Sequence, residues 1–199
     1  MTKTVDYYFT PVSPYSYFGH DRFVAIAARH GATVNVLPVD LGKVFPVSGG
    51  LPLAKRAPQR LAYRLVELAR WSDFLGLPIN VQPRFAASGA DLANRWVVAA
   101  AEQGAWPALD LAGAVMRGRW ADERDIADPD TLAEFARGAG LDPAALAARA
   151  AGPEIAARLD AITAQAIEAQ VFGAPWYVCE GEPFWGQDRL DFLDRKLAK

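Results

Sequence analysis

The chain has 199 residues, 52% apolar and 22% charged, which suits one domain with a sizeable core, or one domain carrying an insertion, and excludes a disordered or fibrous protein. Its 21 Lys and Arg against 23 Asp and Glu leave a net charge of −2, so there is no electrostatic reason to expect nucleic acid or an anionic membrane as partner. The single cysteine, Cys179, excludes an internal disulfide and a CxxC redox centre; with no signal-like start and no apolar run near the ~18 residues of a membrane span, a reducing cytoplasm is the expected setting.

Val5 to Phe9 is a β-branched and aromatic run closed by Thr10-Pro11, and predicts a strand. Ser13-Pro14 then predicts a helix start, with a side-chain acceptor at the cap and a proline where the missing N–H costs nothing; Gly31, after His30, is the stop. Thr33 to Val39 predicts a second strand, completing a β-α-β unit with a right-handed crossover. From Val44 to Pro58 glycine and proline recur without periodicity, and a long loop is expected. Leu61, Leu65, Leu68 and Leu75 mark one face of a helix ending at Gly76-Leu77-Pro78. Alanine-rich stretches predict helices over Asp91 to Gln103, Leu109 to Gly118, Asp130 to Ala139, Pro143 to Ala151 and Glu154 to Ala169. Trp176 to Cys179 and Glu182 to Trp185 read as strands joined at Gly181, and Arg189 to Leu197 as a closing helix.

Several chemistries can be set aside. The two histidines, His20 and His30, fall on the first helix with no HExxH and no Cys/His cluster, which argues against a metal site. The run from Gly138 to Pro143 has proline where a dinucleotide fingerprint needs its third glycine, and no GxSxG elbow or phosphate loop occurs. Three places remain, each with a purely structural alternative. Ser13 is a helix cap, or a hydroxyl that hydrogen-bonds a thiolate at the positive end of the helix dipole. Ala174-Pro175 is an ordinary trans edge proline, or a cis turn that leaves backbone groups free for an extended ligand. Gly186 to Leu190 is a helix start capped by Asp188, or a site for a ligand with an ammonium and a carboxylate on one carbon. Trp71 and Trp185 are taken as core, and Cys179 as a small buried hydrophobe.

Taken together, Ser13-Pro14-Tyr15-Ser16-Tyr17, the stretch Arg60 to Trp71, Gly173-Ala174-Pro175 and Phe184-Trp185-Gly186-Gln187-Asp188-Arg189-Leu190 resemble the 2-hydroxychromene-2-carboxylate isomerases, relatives of the kappa-class glutathione transferases and the DsbA oxidoreductases. The resemblance implies an α/β, thioredoxin-like fold of order β-α-β … β-β-α with a large all-helical insertion. Residues 1–43 and 170–199 would form the thioredoxin-like domain, and 44–169 the insertion with its connecting loop. It further implies glutathione between the two parts and a small aromatic substrate, with no nucleic acid or membrane partner, in a cytoplasmic homodimer.

By the same resemblance Ser13 is the catalytic residue, standing where DsbA relatives carry the redox cysteine. Ala174, beside a cis Pro175, pairs its backbone with the cysteinyl part of glutathione. Gln187 and Asp188, with Arg189 beside them, hold the γ-glutamyl end, and Arg60 replaces a lysine that binds a ligand carboxylate. One departure stands out: where the family has Asn in a T-G-N-P-P run, this chain has Gly50, which cannot make that side-chain contact. The implied activity is isomerisation by reversible thiolate addition. A kappa-like transferase that keeps the conjugate, and a glutathione-binding module without turnover, are the alternatives; a disulfide oxidoreductase is disfavoured by Ser13 and Ser16.

Overall fold

β1 (Thr4–Phe9) owes its central place to being apolar on both faces: Val5, Tyr7, Tyr8 and Phe9 are all buried in the computed structural model, which describes residues 2–199. β2 (Thr33–Pro38) pairs with it in parallel on one side, and β3 (Trp176–Cys179) antiparallel on the other. β4 (Glu182–Trp185) continues antiparallel from β3, giving the sheet order β2-β1-β3-β4. Tyr7 and Tyr177 are register partners whose rings stack at 5.2 Å between centroids, and Phe9 and Phe23 close on Tyr7 at 4.8 and 4.5 Å. Aromatic pairs of this geometry add about 0.5–1.5 kcal/mol each beyond the area they bury.

α1 (Pro14–Arg29) carries the chain from β1 to β2, capped by Ser13 and ended where Gly31 takes φ 58°. The β3–β4 connection is a two-residue turn in which Glu180 and Gly181 both have positive φ, 52° and 79°, the conformation that matches the twist of a tight hairpin. Pro183 sits on β4, the edge strand, where a missing N–H breaks no further pairing.

Between β2 and β3 lie the helices α2 (Leu41–Ser48), α3 (Pro58–Leu75), α4 (Asp91–Ala101), α5 (Ala105–Trp120), α6 (Pro129–Gly138), α7 (Pro143–Ala150) and α8 (Pro153–Glu168). α4, α5 and α8 pack on β2, and α5 also on α1, so one continuous cluster of buried side chains runs from the sheet into the helices. With α9 (Leu190–Leu197) closing the chain, the order is β-α-β, helices, β-β-α: the expected thioredoxin-like fold with a helical insertion.

Three boundaries differ from expectation. The predicted loop after Val44 is helical at its start, because the Asp40 side chain accepts the Gly42 N–H at 2.8 Å and opens α2, while Gly49 at φ 76° closes it. A 3-10 turn, Leu53–Lys55, follows. α5 begins four residues earlier than Leu109, because Pro107 falls in the first turn, where its missing N–H needs no partner. It also runs through Gly118, a glycine required by packing: a Cβ there would lie 2.3 Å from the Phe135 ring.

Candidate active site

Ser13 is held from both sides of the chain before it turns into α1. Its N–H donates to Thr10 O at 3.0 Å, and the Trp120 indole N–H fixes the preceding loop through Pro11 O at 2.9 Å. The hydroxyl accepts the Ser16 N–H at 3.2 Å, as a cap does, and donates to the carbonyl of Ala174 at 2.9 Å. Only 8% exposed, it lies at the positive end of α1, whose first turn holds no acidic residue to compete for that end. Ser16, one turn on, is fully buried and its hydroxyl has no hydrogen-bond partner among the described residues.

Opposite Ser13 runs the segment that leads into β3. The Ala174–Pro175 peptide is cis, and Gly186 N–H donates to Pro175 O at 3.0 Å, tying the segment to the end of β4. The Ala174 N–H has no backbone acceptor among the described residues. Trp185 lays its indole over Gly173, so closely that a Cβ there would lie 2.7 Å from Nε1, and Phe172 meets Trp185 edge-on at 4.7 Å.

The 3-10 turn Gln187–Arg189 is docked on α1. Arg22 donates to Gln187 O at 2.9 Å and to its side-chain Oε1, and α1 comes so near that a Cβ on Gly19 would lie 2.9 Å from Gln187 Cβ. Gln187 is therefore buried, with its side-chain carbonyl committed to Arg22. Asp188 is exposed and pairs with Arg189 at 2.7 Å. It does not cap α9 as the sequence reading expected: the 3-10 turn intervenes, and no side-chain cap bond forms at either start.

Between these elements and α3 opens a cavity of about 1290 Å³. Ser13, Arg60, Ala174, Gln187, Asp188 and Arg189 all line it, whereas Pro175 is buried and does not reach the wall. Trp71 and Trp185, read as core, are wall residues, and Trp185, on the edge strand β4, is 53% exposed. Beside Gly50, Phe45 of α2 takes the space that a side chain would need: a Cβ on Gly50 would lie 2.2 Å from that ring.

The sequence reading missed the cationic wall. Five arginines, Arg56, Arg60, Arg64, Arg119 and Arg189, face the cavity against two carboxylates, Glu67 and Asp188. Both carboxylates already have arginine partners, Arg70 at 2.9 Å and Arg189 at 2.7 Å. Burial pushes the Arg64 and Arg119 guanidinium pKa values down, since neither has a carboxylate in contact. The signal was present in part: Arg56, Arg60 and Arg64 are spaced four apart, and Arg60 and Arg64 are like charges one turn apart on α3, which disfavours the helix and asks for another reason to be there.

A family model described as the DSBA-like thioredoxin domain matches residues 4–198. The chain belongs to the DsbA-like thioredoxin-domain family. Within this family it is 29% identical, over 99% of its own length and 99% of the relative's, to a protein of Sphingobium xenophagum named 2-hydroxychromene-2-carboxylate isomerase. A solved structure of an isomerase with that name matches at a TM-score of 0.81 with 27% identity, covering 98% of this chain and 94% of the other. Glutathione S-transferase kappa 1 of Caenorhabditis elegans is 24% identical over 95% of this chain and 88% of its own. This DsbA-like chain thus has an isomerase and a glutathione transferase among its full-length relatives, and carries serines, Ser13 and Ser16, and no cysteine around its first helical turn.

Proposed function

We propose that this protein is a glutathione-dependent isomerase that converts 2-hydroxychromene-2-carboxylate, or a close aromatic analogue, to trans-o-hydroxybenzylidenepyruvate. The observation that carries the reading is the buried Ser13 hydroxyl at the N-terminus of α1, opening on a cavity with an excess of arginines. The donor set fits a thiolate tripeptide: a hydroxyl and a helix end for the sulfur, the Ala174 N–H for an extended backbone, and guanidinium groups for carboxylates. When bound, glutathione supplies the thiolate that adds reversibly to an unsaturated carbon, so that a double bond becomes a single bond free to rotate.

Ser13 stabilises that thiolate by turning its proton from the Ala174 carbonyl to the sulfur, and the freed carbonyl accepts an N–H of the tripeptide. A hydrogen bond to a charged group is worth about 1.5–3 kcal/mol and a helix end about 0.3–1, less about 0.5–1.5 for the bond given up. At ~1.4 kcal/mol per unit, Ser13 and α1 together lower the thiol pKa by about one to two units from ~8.5. Ala174 orients the cysteinyl backbone beside cis Pro175. The Gln187–Arg189 turn, fixed by Arg22, presents the Asp188 carboxylate to the γ-glutamyl ammonium, and Arg60 meets a carboxylate at the other end. Gln187 contributes through its backbone and its amide nitrogen, because Arg22 holds the side-chain oxygen.

The test is product accounting with glutathione and 2-hydroxychromene-2-carboxylate. The isomerase reading expects the ring-opened isomer with all glutathione recovered. Net consumption of glutathione marks instead a transferase, the reading that the kappa relative favours; binding without either product marks a module without turnover.

A further inference from the structure

The cationic wall is larger than one tripeptide needs. Arg189 is paired with Asp188, and Arg119 spends its guanidinium on the carbonyls of Phe85, Ala86 and Ser88. Arg60 is exposed at the outer end of the α3 wall and belongs to the tripeptide in the reading above. Arg56 has only its Nε bound, to Leu51 O at 3.0 Å, and its terminal nitrogens meet no acceptor among the described residues.

Arg64 is the odd one. It is half-buried in the wall, yet it makes no hydrogen bond or ion pair with any described residue, so its donors are uncommitted and a carboxylate entering the cavity can take them without breaking an existing contact. Glu67, three residues on, does not relieve it, being held by Arg70 and the Tyr63 hydroxyl, both at 2.9 Å. Tyr15, two residues beyond Ser13, lines the same cavity, and its phenol feels the charges of both Arg64 and Arg56. Burial raises the Tyr15 pKa, so the hydroxyl stays protonated and able to donate. At about 1290 Å³ the cavity exceeds the ~300–1,000 Å³ of a single small-ligand site, leaving space for a second occupant.

We propose that Arg64, with Arg56 and the Tyr15 hydroxyl, forms a subsite for the carboxylate of the aromatic acid, and that this subsite makes the protein select acids over neutral enones of the same shape. The identity of the acid rests on the isomerase reading; the carboxylate preference rests on the wall itself. A bidentate guanidinium–carboxylate pair beside Tyr15 sets the unsaturated chain of the acid along the cavity toward Ser13. Arg64 is on this account a substrate-binding and specificity residue, separate from the tripeptide contacts.

The test is calorimetry without glutathione, where no reaction occurs, using trans-o-hydroxybenzylidenepyruvate and its methyl ester on wild type, Arg64→Met and Arg64→Lys, with glutathione titrated separately. The expected result is an acid bound at least tenfold tighter than its ester by wild type. That preference should collapse in Arg64→Met and be largely kept in Arg64→Lys, with glutathione affinity unchanged in both. An acid-to-ester ratio near one in wild type overturns the proposal. So does a ratio unaltered in Arg64→Met, or a loss confined to glutathione, which would assign Arg64 to the tripeptide's own carboxylate. A wild-type protein that shows the expected ratio but no glutathione-dependent turnover supports the subsite and overturns the isomerase reading alone.

Discussion

The Ser13 hydroxyl joins the start of the chain to its end, donating to the Ala174 carbonyl at 2.9 Å across a separation of 161 residues. The same oxygen caps α1 through the Ser16 N–H. One small side chain thereby ties the first helix to the segment before β3, and it does so at the mouth of the cavity. The structural and functional readings of this serine are not rivals: the cap sets the oxygen's position and the Ala174 bond sets its proton, which is the part that a ligand can redirect.

Buried His20 makes stability depend on pH. Its ring faces two partners, Leu109 O at 3.0 Å from Nε2 and the Tyr7 hydroxyl at 3.2 Å from Nδ1. A carbonyl only accepts, so Nε2 carries the proton and Nδ1 receives that of Tyr7. Burial lowers the His20 pKa below its ordinary 6.5, against weaker opposing effects of Asp21, the Leu109 carbonyl and Asp110. Below 6.5 the unfolded chain therefore binds a proton that the folded one refuses, and this contribution to stability falls with pH, by up to ~1.4 kcal/mol per unit, until the folded pKa is reached. Denaturant unfolding of wild type and His20→Gln should give stability curves that run parallel above about pH 6.5 and part below it, wild type losing stability that the variant keeps; curves parallel throughout would show that His20 does not titrate as described.

Arg119 should hold the cavity wall in shape. Only 5% exposed, it donates to Ala86 O at 2.9 Å, Ser88 O at 3.1 Å and Phe85 O at 3.3 Å, and thereby fixes the turn before α4. Arg119→Met removes donors from three carbonyls, and a loss of about 2–4 kcal/mol is expected, less than three full penalties because the freed turn can reach water. Limited proteolysis should then cut between residues 82 and 90 while the rest of the fold survives. Resistance equal to wild type would deny Arg119 this role.

Gly50 and Phe45 should behave as a pair. An asparagine at 50, the residue that the sequence resemblance implies there, puts its Cβ where the Phe45 ring lies, 2.2 Å from the nearest ring carbon. Gly50→Asn alone should cost about 1–3 kcal/mol by overpacking or by expelling the ring, and much less in a Phe45→Ala background. A double-mutant cycle that finds coupling under about 0.5 kcal/mol would mean that the two sites are independent.

Much of this fold can be read along the chain because its signals are local. The cap at Ser13-Pro14, the positive-φ stop at Gly31 and the aromatic run of β1 each act within a few residues, and α1, β1 and β2 lie where they predict. α2 escapes that reading because Asp40 and Gly49 delimit a helix inside a glycine- and proline-rich stretch that carries Pro46 as well. The fate of Gln187 is not legible at all, since Arg22, which holds it, is far off in sequence and meets it only once the 3-10 turn docks on α1. Likewise Arg56, Arg60 and Arg64 announce a charged stretch, but the excess of guanidinium groups over carboxylates in the cavity is a property of the fold that brings them together with Arg119 and Arg189. The candidate site is thus legible as a set of residue types, and its electrostatics only as a folded object.

The central claim is that Ser13 and the end of α1 activate a thiol that the chain itself does not carry. Its most direct test is the titration of glutathione bound to wild type and to Ser13→Ala, followed by the ultraviolet absorbance of the thiolate. The cap and the Ala174 bond are lost together in the variant, so about 1–2 kcal/mol of stability should go with them while the fold persists. The account predicts a bound-thiol pKa about one to two units below the free value of ~8.5 in wild type, and a rise of about one unit or more in Ser13→Ala. Bound thiols that titrate alike in both proteins would contradict it.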